Sequence, residues 1–270
     1  GGPADILVLP ESIEQLREVL KVVKETVVPL TLLGNGSNVL VRDKGIRGIV
    51  IKLGNMLRHF YEAEDLLVFG SGYSLALASY KAMECGKTGM EFAVGIPGSI
   101  GGAVYMNAGA YDGEMQNIVN CVKVMDLQGN ERVLTAEELN FGYRKTSLQN
   151  SGLIVTEVTL KMPSGNKDEI KSKMDDFSHR RISKQPLEMP SAGSMFKRPP
   201  GYFAGTLIDQ AGLKGYTVGG AQISTKHAGF VVNVGGATAA DVLQLIKDVQ
   251  TKIKAGVGVE LQPEVLVIGE

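Results

Sequence analysis

GNGSN at residues 34–38 and GIPGSIGGA at residues 95–103 are the stretches that decide the fold of this 270-residue sequence. The first lies between two predicted strands, residues 30–33 and 39–41, and it ends a β-α-β unit whose helix begins after Ser12. The glycine-rich loop of a Rossmann fingerprint opens a helix. A strand follows here, so the sequence excludes a Rossmann fold.

The second stretch lies in a region where glycine takes eight of the 28 positions from residue 86 to residue 113. Consecutive N–H groups without Cβ atoms can bind an anionic pyrophosphate, although either loop alone is also explained as a tight turn. The two loops together offer Ser37, Asn38 and Ser99 as further hydrogen-bond partners for phosphate oxygens. We therefore predict a dinucleotide site, and the pattern leaves open which dinucleotide binds.

Composition and charge exclude several classes of protein. The net charge is −1 and no Lys/Arg cluster is interleaved with aromatic residues, which disfavours a nucleic-acid partner. No apolar run reaches the ~18 residues of a membrane span, so we expect no membrane insertion. Cys85, Cys121 and the histidines His59, His179 and His227 stand at no metal-ligand spacing, so we expect no metal site and a reducing, cytoplasmic location.

The periodicity along the chain is of the α+β type, with strands and helices that do not alternate regularly. We expect a first subdomain over residues 1–53 and a second over residues 54–183. A third unit spans residues 184–260. The C-terminal strand within residues 261–270 is expected to return to the second subdomain.

Five motifs in this order carry a resemblance over essentially the whole chain: GNGSNVLV, GIPGSIGGAVYMNAGAYDGEM, GYR at residues 142–144, SAGSMFKRP and ELQPEVLVIG. The sequence resembles the UDP-N-acetylenolpyruvoylglucosamine reductase family. This resemblance implies a two-part FAD-binding domain of the vanillyl-alcohol-oxidase-like (PCMH-type) fold, plus a smaller α+β substrate domain of the short type. Family members usually have a further N-terminal segment, so we expect this sequence to be N-terminally truncated.

The resemblance also implies the reaction. NADPH supplies a hydride through non-covalently bound FAD, and the enolpyruvyl ether of UDP-N-acetylglucosamine enolpyruvate is reduced to UDP-N-acetylmuramate in peptidoglycan precursor synthesis. Negative charge then develops toward the substrate carboxylate, and a carbon must be protonated. The site therefore needs a proton donor and cationic or hydrogen-bonding partners.

Three residues match the family's catalytic positions. Arg144 is the expected partner of the enolpyruvyl carboxylate, and Ser194 is the expected proton donor. Glu264 is the expected glutamate that polarises the carboxylate or takes part in proton transfer. Glu260 is an alternative to Glu264, because alternation along a predicted strand would place both on the same face.

The resemblance assigns the remaining contacts to two groups of residues. We expect FAD to be contacted by Gly34, Asn35, Gly36, Ser37, Asn38, Gly95, Ile96, Gly98, Ser99, Gly101, Gly102, Ala103 and Ile154. We expect the substrate to be contacted by Tyr143, Lys184, Arg198 and Gln222. Arg198 stands where family members often have Asn, which changes the expected contact with the diphosphate.

Two other functions remain open at this level. The chain could be another FAD-dependent oxidase or dehydrogenase of the same fold, or a nucleotide-binding module without catalytic activity. The presence of Arg144, Ser194 and Glu264 together disfavours both alternatives. The sequence does not indicate the oligomeric state.

Overall fold

The structure is a computed structural model that describes residues 1–53 and 57–270. Helices and strands are mixed along the chain, which confirms the expected α+β class. The α-helices of the described residues are α1 (Ile13–Thr26), α2 (Leu75–Glu84), α3 (Ile100–Tyr105), α4 (Lys167–Lys184), α5 (Ala204–Gln210) and α6 (Ala239–Val257). Short 3-10 turns span Glu91–Ala93 and Met115–Asn117.

The strands are short, and most belong to antiparallel sheets. In chain order they are β1 (Ala4–Val8), β2 (Leu30–Leu33), β3 (Val39–Val41), β4 (Ile46–Lys52), β5 (Phe60–Ala63), β6 (Leu66–Gly70), β7 (Gly109–Ala110), β8 (Gly113–Glu114), β9 (Val119–Met125), β10 (Glu131–Thr135), β11 (Ile154–Lys161), β12 (Ser191–Ser194), β13 (Thr217–Val218), β14 (Ala221–Ile223), β15 (Phe230–Asn233) and β16 (Leu266–Ile268).

The chain divides into two compact units. The larger unit comprises Ile6–Asn35 and Gly48–Arg180, and the smaller unit comprises Gly1–Asp5, Gly36–Arg47 and Arg181–Glu270. The boundary expected after residue 53 falls at residues 54–56, which lie outside the described residues. The expected boundary at 183/184 stays a proposal.

The larger unit is built on an antiparallel five-stranded sheet in the order β10-β9-β11-β6-β5. Helices α2 and α3 contribute Leu75 and Val104 to a core that also contains Phe69, Met115 and Val158. Burial of such side chains contributes roughly 1.5–3 kcal/mol each. The glycine-rich stretch at residues 95–103 packs against this core.

Helix α1 forms a second core in the larger unit. Ser12 caps it by accepting a hydrogen bond from the Gln15 N–H, and the Gln15 side chain accepts one from the Glu11 N–H. Leu16 and Leu20 are buried against residues of the parallel strands β2 and β4. The predicted β-α-β unit is therefore confirmed.

The smaller unit packs α5 and α6 on a four-stranded sheet in the order β12-β15-β14-β13. Thr238 and Asp241 form a capping box at the start of α6, and the Asp43 carboxylate accepts hydrogen bonds from the N–H groups of Ala239 and Ala240 at 2.7 and 2.8 Å. The last strand, β16, pairs in parallel with β3. The C-terminal strand that the sequence assigns to the second subdomain therefore pairs instead within the smaller unit.

Two local predictions differ from the structure. Residues 100–105 form helix α3, whereas the sequence predicted a loop there, because Ser99 caps the segment by accepting from the Gly102 N–H at 3.3 Å. Residues 260–264 are not a strand. The argument that Glu260 and Glu264 share a strand face was therefore wrong.

Candidate functional site

Gly34 brings the end of β2 close to the second glycine-rich stretch in the larger unit. A Cβ atom at Gly34 would lie 3.1 Å from the Ser99 Oγ, which is tighter than an ordinary van der Waals contact. A side chain at this position would press on the hydroxyl that caps α3. The bare backbone of Gly34 therefore allows the end of β2 to lie close to the Ser99 hydroxyl.

The second stretch divides into a surface part and a buried part. Gly95, Ile96 and Gly98 are partly exposed and Gly102 is exposed, so their backbone groups can meet a ligand. Ser99, Gly101 and Ala103 are buried. Of the expected cofactor residues, these buried ones support the loop from within the larger unit.

Gly101 lies directly on Ser71. Its N–H donates to the Ser71 carbonyl at 2.9 Å, and a Cβ atom there would stand 2.7 Å from the Ser71 Cβ. The Ser71 Oγ is buried and has no hydrogen-bond partner among the residues that the structure describes. Gly101 is therefore needed for close packing of α3 on Ser71, the residue that follows β6.

Ile154 lies in the core beside α1, and the residue as a whole, backbone included, is 1 % exposed. The sequence pattern alone does not separate such a core residue from a wall of the site.

Arg144 sits at the corner of a tight turn in the larger unit. Gly142 and Lys145 close the turn through two backbone hydrogen bonds of 2.9 and 3.1 Å, and Arg144 has a φ of 56°. Its guanidinium donates from Nη2 to the Gly109 carbonyl at 3.1 Å and lies 5.2 Å from the ring centroid of Tyr143. The turn thus presents Tyr143 and Arg144 side by side.

Ser194 and Glu264 lie on neighbouring segments of the smaller unit. The Glu264 N–H donates to the carbonyl of Met195 at 2.8 Å, and the Lys197 N–H donates to the carbonyl of Gln262 at 2.8 Å. This antiparallel pairing places Glu264 beside the residue that follows Ser194. The structure therefore brings these two expected residues together.

The end of the first glycine-rich loop reaches the same place. Asn38 Nδ2 donates to the Glu264 carbonyl at 3.1 Å, and a Cβ atom at Gly193 would lie 3.9 Å from the Ser37 carbonyl oxygen. Gly193 has a φ of 83°, which favours glycine. Three of the five sequence motifs therefore meet within the smaller unit.

Glu260 lies in a different environment from Glu264. It is exposed and pairs with Lys254 at the end of α6, and this hydrogen bond lowers the pKa of Glu260 below its ordinary value. Neither Ser194 nor Asn38 contacts Glu260 among the hydrogen bonds of the described residues. The geometry therefore favours Glu264 over Glu260.

The expected substrate residues of the smaller unit lie near its surface. Lys184 is exposed at the end of α4, and Arg198 is exposed with its guanidinium carbon 4.0 Å from the ring centroid of Phe203. Gln222 Nε2 donates to Thr217 Oγ1 at 3.0 Å across β14 and β13. A guanidinium stacked in this way is fixed in orientation.

His227 adds a polar group that the sequence analysis did not assign. The Gly229 N–H donates to its Nδ1 at 3.0 Å, so a proton on the neutral ring belongs on Nε2. Burial lowers the pKa of His227, and Lys214 and Lys184 lower it further. His227 is therefore held neutral near the cationic end of α4.

The structure contains no evidence of a metal centre or a membrane span in its described parts. Within residues 1–53 and 57–270, no three His, Cys, Asp or Glu side chains are grouped so that they could hold a metal ion. No helix in the same ranges is both long enough and apolar enough to cross a membrane.

Comparisons with known proteins agree along the whole chain. Residues 4–135 match the family described as FAD binding domain, and residues 185–268 match the family described as UDP-N-acetylenolpyruvoylglucosamine reductase, C-terminal domain. The UDP-N-acetylenolpyruvoylglucosamine reductase of Clostridium perfringens strain SM101 is 53 % identical over 269 residues, which cover 100 % of this chain and 88 % of that protein.

Two further relatives extend this agreement. The reductase of the same name from Clostridioides difficile strain 630 is 50 % identical over 270 residues, which cover 100 % of this chain and 89 % of that protein. The crystal structure of UDP-N-acetylenolpyruvylglucosamine reductase from Thermus caldophilus superposes with a TM-score of 0.82 at 39 % identity, covering 97 % of this chain and 91 % of that one.

Proposed function

The chain belongs to the UDP-N-acetylenolpyruvoylglucosamine reductase family, and we propose that it uses NADPH to reduce the enolpyruvyl ether of UDP-N-acetylglucosamine enolpyruvate to UDP-N-acetylmuramate. The expected combination of an FAD-binding domain with a smaller C-terminal domain is confirmed by the two family matches. The reaction serves peptidoglycan precursor synthesis, and with it cell shape and division, in the cytoplasm. One observation carries the proposal: in the smaller unit, hydrogen bonds join the segment that contains Glu264 to the segments that contain Ser194 and Asn38.

The glycine-rich loops fit the pyrophosphate of FAD. A Cβ atom at Gly34 would press on the Ser99 hydroxyl. Gly36 has a φ of 71° and faces open space. Bare backbone of this kind lets consecutive N–H groups approach phosphate oxygens. The residues that would hold FAD are those of the two stretches, residues 34–38 and 95–103. When bound there, FAD would supply the hydride-transfer chemistry between NADPH and the enolpyruvyl group.

Arg144 binds the substrate carboxylate in this proposal. Its planar guanidinium can make two parallel hydrogen bonds to a carboxylate, and these strengthen as negative charge develops there. The carbonyls of Gly109 and Asn107 accept hydrogen bonds from Nη2 and Nη1 of Arg144 and restrict the plane of the guanidinium. Tyr143 packs beside it and limits its motion.

Ser194 supplies the proton at C2 of the reduced enolpyruvyl group. A serine hydroxyl is a weak acid, so the proton transfer needs a polar neighbour. Glu264 fills that role because the backbone pairing holds it next to the Ser194 segment. Its carboxylate orients the hydroxyl and, after the Ser194 proton has gone to C2, relays a replacement proton from solvent to the serine oxygen.

The diphosphate of the substrate is assigned to cationic side chains of the smaller unit. Lys184 offers a point charge, and Arg198 offers a donor fork that is oriented by Phe203. Gln222 is a further polar residue assigned to the substrate. Together these residues bind parts of the substrate that do not react.

The test is NADPH oxidation by the FAD-loaded protein, measured with and without UDP-N-acetylglucosamine enolpyruvate. We expect rapid oxidation only when the enol ether is present, with formation of UDP-N-acetylmuramate. FAD-loaded protein that oxidises NADPH at the same slow rate in both cases would contradict the proposal. Flavin reduction by another alcohol or hydroxy acid without NADPH would instead support an oxidase or dehydrogenase.

A further inference from the structure

Asn107 is a fully buried polar residue in the larger unit, with a side chain that has every hydrogen-bonding atom in use. Its Nδ2 donates to the Glu114 carboxylate and to the Gly142 carbonyl, each at 3.0 Å. Its Oδ1 accepts from the Gln116 N–H, also at 3.0 Å. Since an asparagine amide has two donor hydrogens, both are used here.

These bonds connect Asn107 directly to the turn that carries Arg144. Gly142 is the first residue of that turn, so Asn107 fixes the turn at its base. The backbone carbonyl of Asn107 also accepts from Arg144 Nη1 at 3.5 Å. One residue therefore contacts both the backbone support and the guanidinium of Arg144.

The backbone of both residues is in the left-handed region. Asn107 has a φ of 43° and Arg144 has a φ of 56°. Such conformations are costly for residues with a Cβ atom and persist only where surrounding contacts enforce them. The Asn107 side chain supplies such contacts: its bond to the Gly142 carbonyl ties the segment around residue 107 to the turn, and its bonds to Glu114 and to the Gln116 N–H hold residue 107 itself.

Gln149 holds the other side of the same turn. Its Nε2 donates to the Arg144 carbonyl at 3.1 Å and to the Tyr105 carbonyl at 3.2 Å. Tyr105 ends α3, which is the helix of the second glycine-rich stretch. The Arg144 turn is thus tied to the segment from residue 105 to residue 109 by side chains on both sides.

We infer that Asn107 is a positioning residue for the substrate carboxylate: it sets the place and plane of the Arg144 guanidinium. This inference rests on the proposed role of Arg144. A guanidinium that shifts by an ångström loses the two parallel bonds to a carboxylate, and misplacement on this scale costs about 10²-fold in rate. Asn107 should therefore affect the enolpyruvyl half of the reaction and not the NADPH half.

The decisive variant is Asn107→Asp, which keeps the size and the acceptor but removes both donors and places a carboxylate against Glu114. We expect reduction of the enol ether by the pre-reduced, FAD-loaded enzyme to slow by about 10²-fold. We also expect weaker calorimetric binding of UDP-N-acetylmuramate. The FAD dissociation constant and the rate of flavin reduction by NADPH should stay within about twofold. Asn107→Ser, which is uncharged and smaller, gives a second test where Asn107→Asp does not fold.

Two controls separate positioning from a general loss of stability. Val122→Ala truncates a fully buried core residue and leaves the bonds of Asn107 intact. If it slows the enol-ether step as much as Asn107→Asp does, the inference is overturned. In an Arg144→Ala background, Asn107→Asp should cause little further loss in the rate of the enol-ether step, because both changes remove the same interaction. Additive losses would overturn the inference as well.

A measurement without substrate distinguishes this inference from the proposed function. Side-chain ¹⁵N relaxation of Arg144 in the FAD-loaded enzyme reports the order of the guanidinium directly. We expect an ordered guanidinium in the wild type and a disordered one in Asn107→Asp and Asn107→Ser. Equal order in all three would overturn the positioning role even if the enzyme turns over. If the wild-type enzyme is inactive but the Arg144 guanidinium is ordered in it and disordered in the two variants, the result would count against the proposed reaction alone.

Discussion

Asn38 Nδ2 lies 3.1 Å from the carbonyl oxygen of Glu264, so a residue of the first glycine-rich loop holds the backbone of the expected catalytic glutamate. The two residues are 226 positions apart in the sequence. The Glu264 N–H is used as well, because it donates to the carbonyl of Met195. The backbone of Glu264 is therefore fixed by hydrogen bonds at both its N–H and its carbonyl.

Asn38→Asp should uncouple this contact while leaving the size of the side chain unchanged. A carboxylate cannot donate to the Glu264 carbonyl, so we expect the apo-protein to lose about 0.5–1.5 kcal/mol of unfolding free energy. We also expect a fall in kcat as Glu264 becomes less well placed. Urea denaturation and steady-state kinetics measure the two effects. Unchanged values for both would mean that the bond has no role.

Glu264→Gln should lower kcat strongly, whereas Glu260→Gln should leave kcat nearly unchanged. Loss of a group that takes part in proton transfer costs about 10²–10⁴-fold in rate, so we expect that range for Glu264→Gln. Glu260 is exposed and pairs with Lys254 away from Ser194, so its amide variant should keep kcat within about twofold of the wild type. Steady-state kinetics at saturating substrate decide between them. A large loss in Glu260→Gln would reverse the assignment.

Gly101→Ala should destabilise the larger unit and weaken FAD binding. The added Cβ would stand 2.7 Å from the Ser71 Cβ and 3.1 Å from the Ser71 carbonyl oxygen, and overpacking of this kind costs about 1–3 kcal/mol. Gly256→Ala is the matched control, because that glycine lies in α6 with nothing within 4 Å of an added Cβ. It should raise stability by up to about 1 kcal/mol. Thermal unfolding of both variants measures the contrast, and a stable Gly101→Ala protein with normal FAD affinity would contradict the packing argument.

Ser71→Ala should leave the stability of the protein unchanged or raise it. The buried Ser71 Oγ has no hydrogen-bond partner among the described residues, and such an orphaned group costs about 1–3 kcal/mol. Alanine keeps the Cβ on which Gly101 packs and removes the orphaned hydroxyl. Thermal unfolding of the apo-protein tests this, with Ser79→Ala as a control that loses a made bond to the Ala76 carbonyl. A marked loss of stability in Ser71→Ala would show that the hydroxyl has a partner.

The unfolding free energy should decrease on the acid side because of His227. Burial lowers the pKa of His227 below its ordinary value of 6.5, so the unfolded chain takes up a proton at a higher pH than the folded protein does. The stabilisation by the neutral ring is therefore complete above 6.5 and is lost as the pH falls toward the folded-state pKa. Nearby Lys214 and Lys184 reinforce the shift, whereas Asp209 opposes it.

His227→Asn removes this titration while keeping an acceptor for the Gly229 N–H. Urea denaturation between about pH 8 and about pH 5 should show a smaller decrease in the variant than in the wild type. The two proteins differ at residue 227 alone, so the difference between their curves reports on His227. Parallel curves for the two proteins would contradict a lowered pKa at His227.

The sequence predicted most elements that depend on local signals. Helix α1 is the example: the sequence places its start after Ser12, and the Ser12 side chain caps it by accepting from the Gln15 N–H. Helix α3 was missed because its Ile-Gly-Gly start has poor helix propensity. Its stability comes from the Ser99 cap and from packing on Ser71, which no local pattern reveals.

The ordered motifs predicted the residues of the candidate site. They did not predict the hydrogen bonds that hold those residues in place. Strand alternation could not separate Glu264 from Glu260, since the distinction depends on pairing of residues 262–264 with residues 195–197. Asn107 gave no signal beyond its place in the sequence NAGAY, because a buried amide that bridges distant segments leaves no periodic trace. Long-range hydrogen bonds of this kind become visible only in the folded chain.

The pairing of β16 with β3 sets an order of events during protein synthesis. Residues 48–180 of the larger unit are continuous and can collapse while the ribosome is still adding the remainder. Two contacts of the adjoining segment form later, because β3 must wait for residues 266–268 and Asn38 must wait for Glu264. The newly made chain therefore cannot complete this part of its cofactor loop until residues 264–268 have left the ribosome.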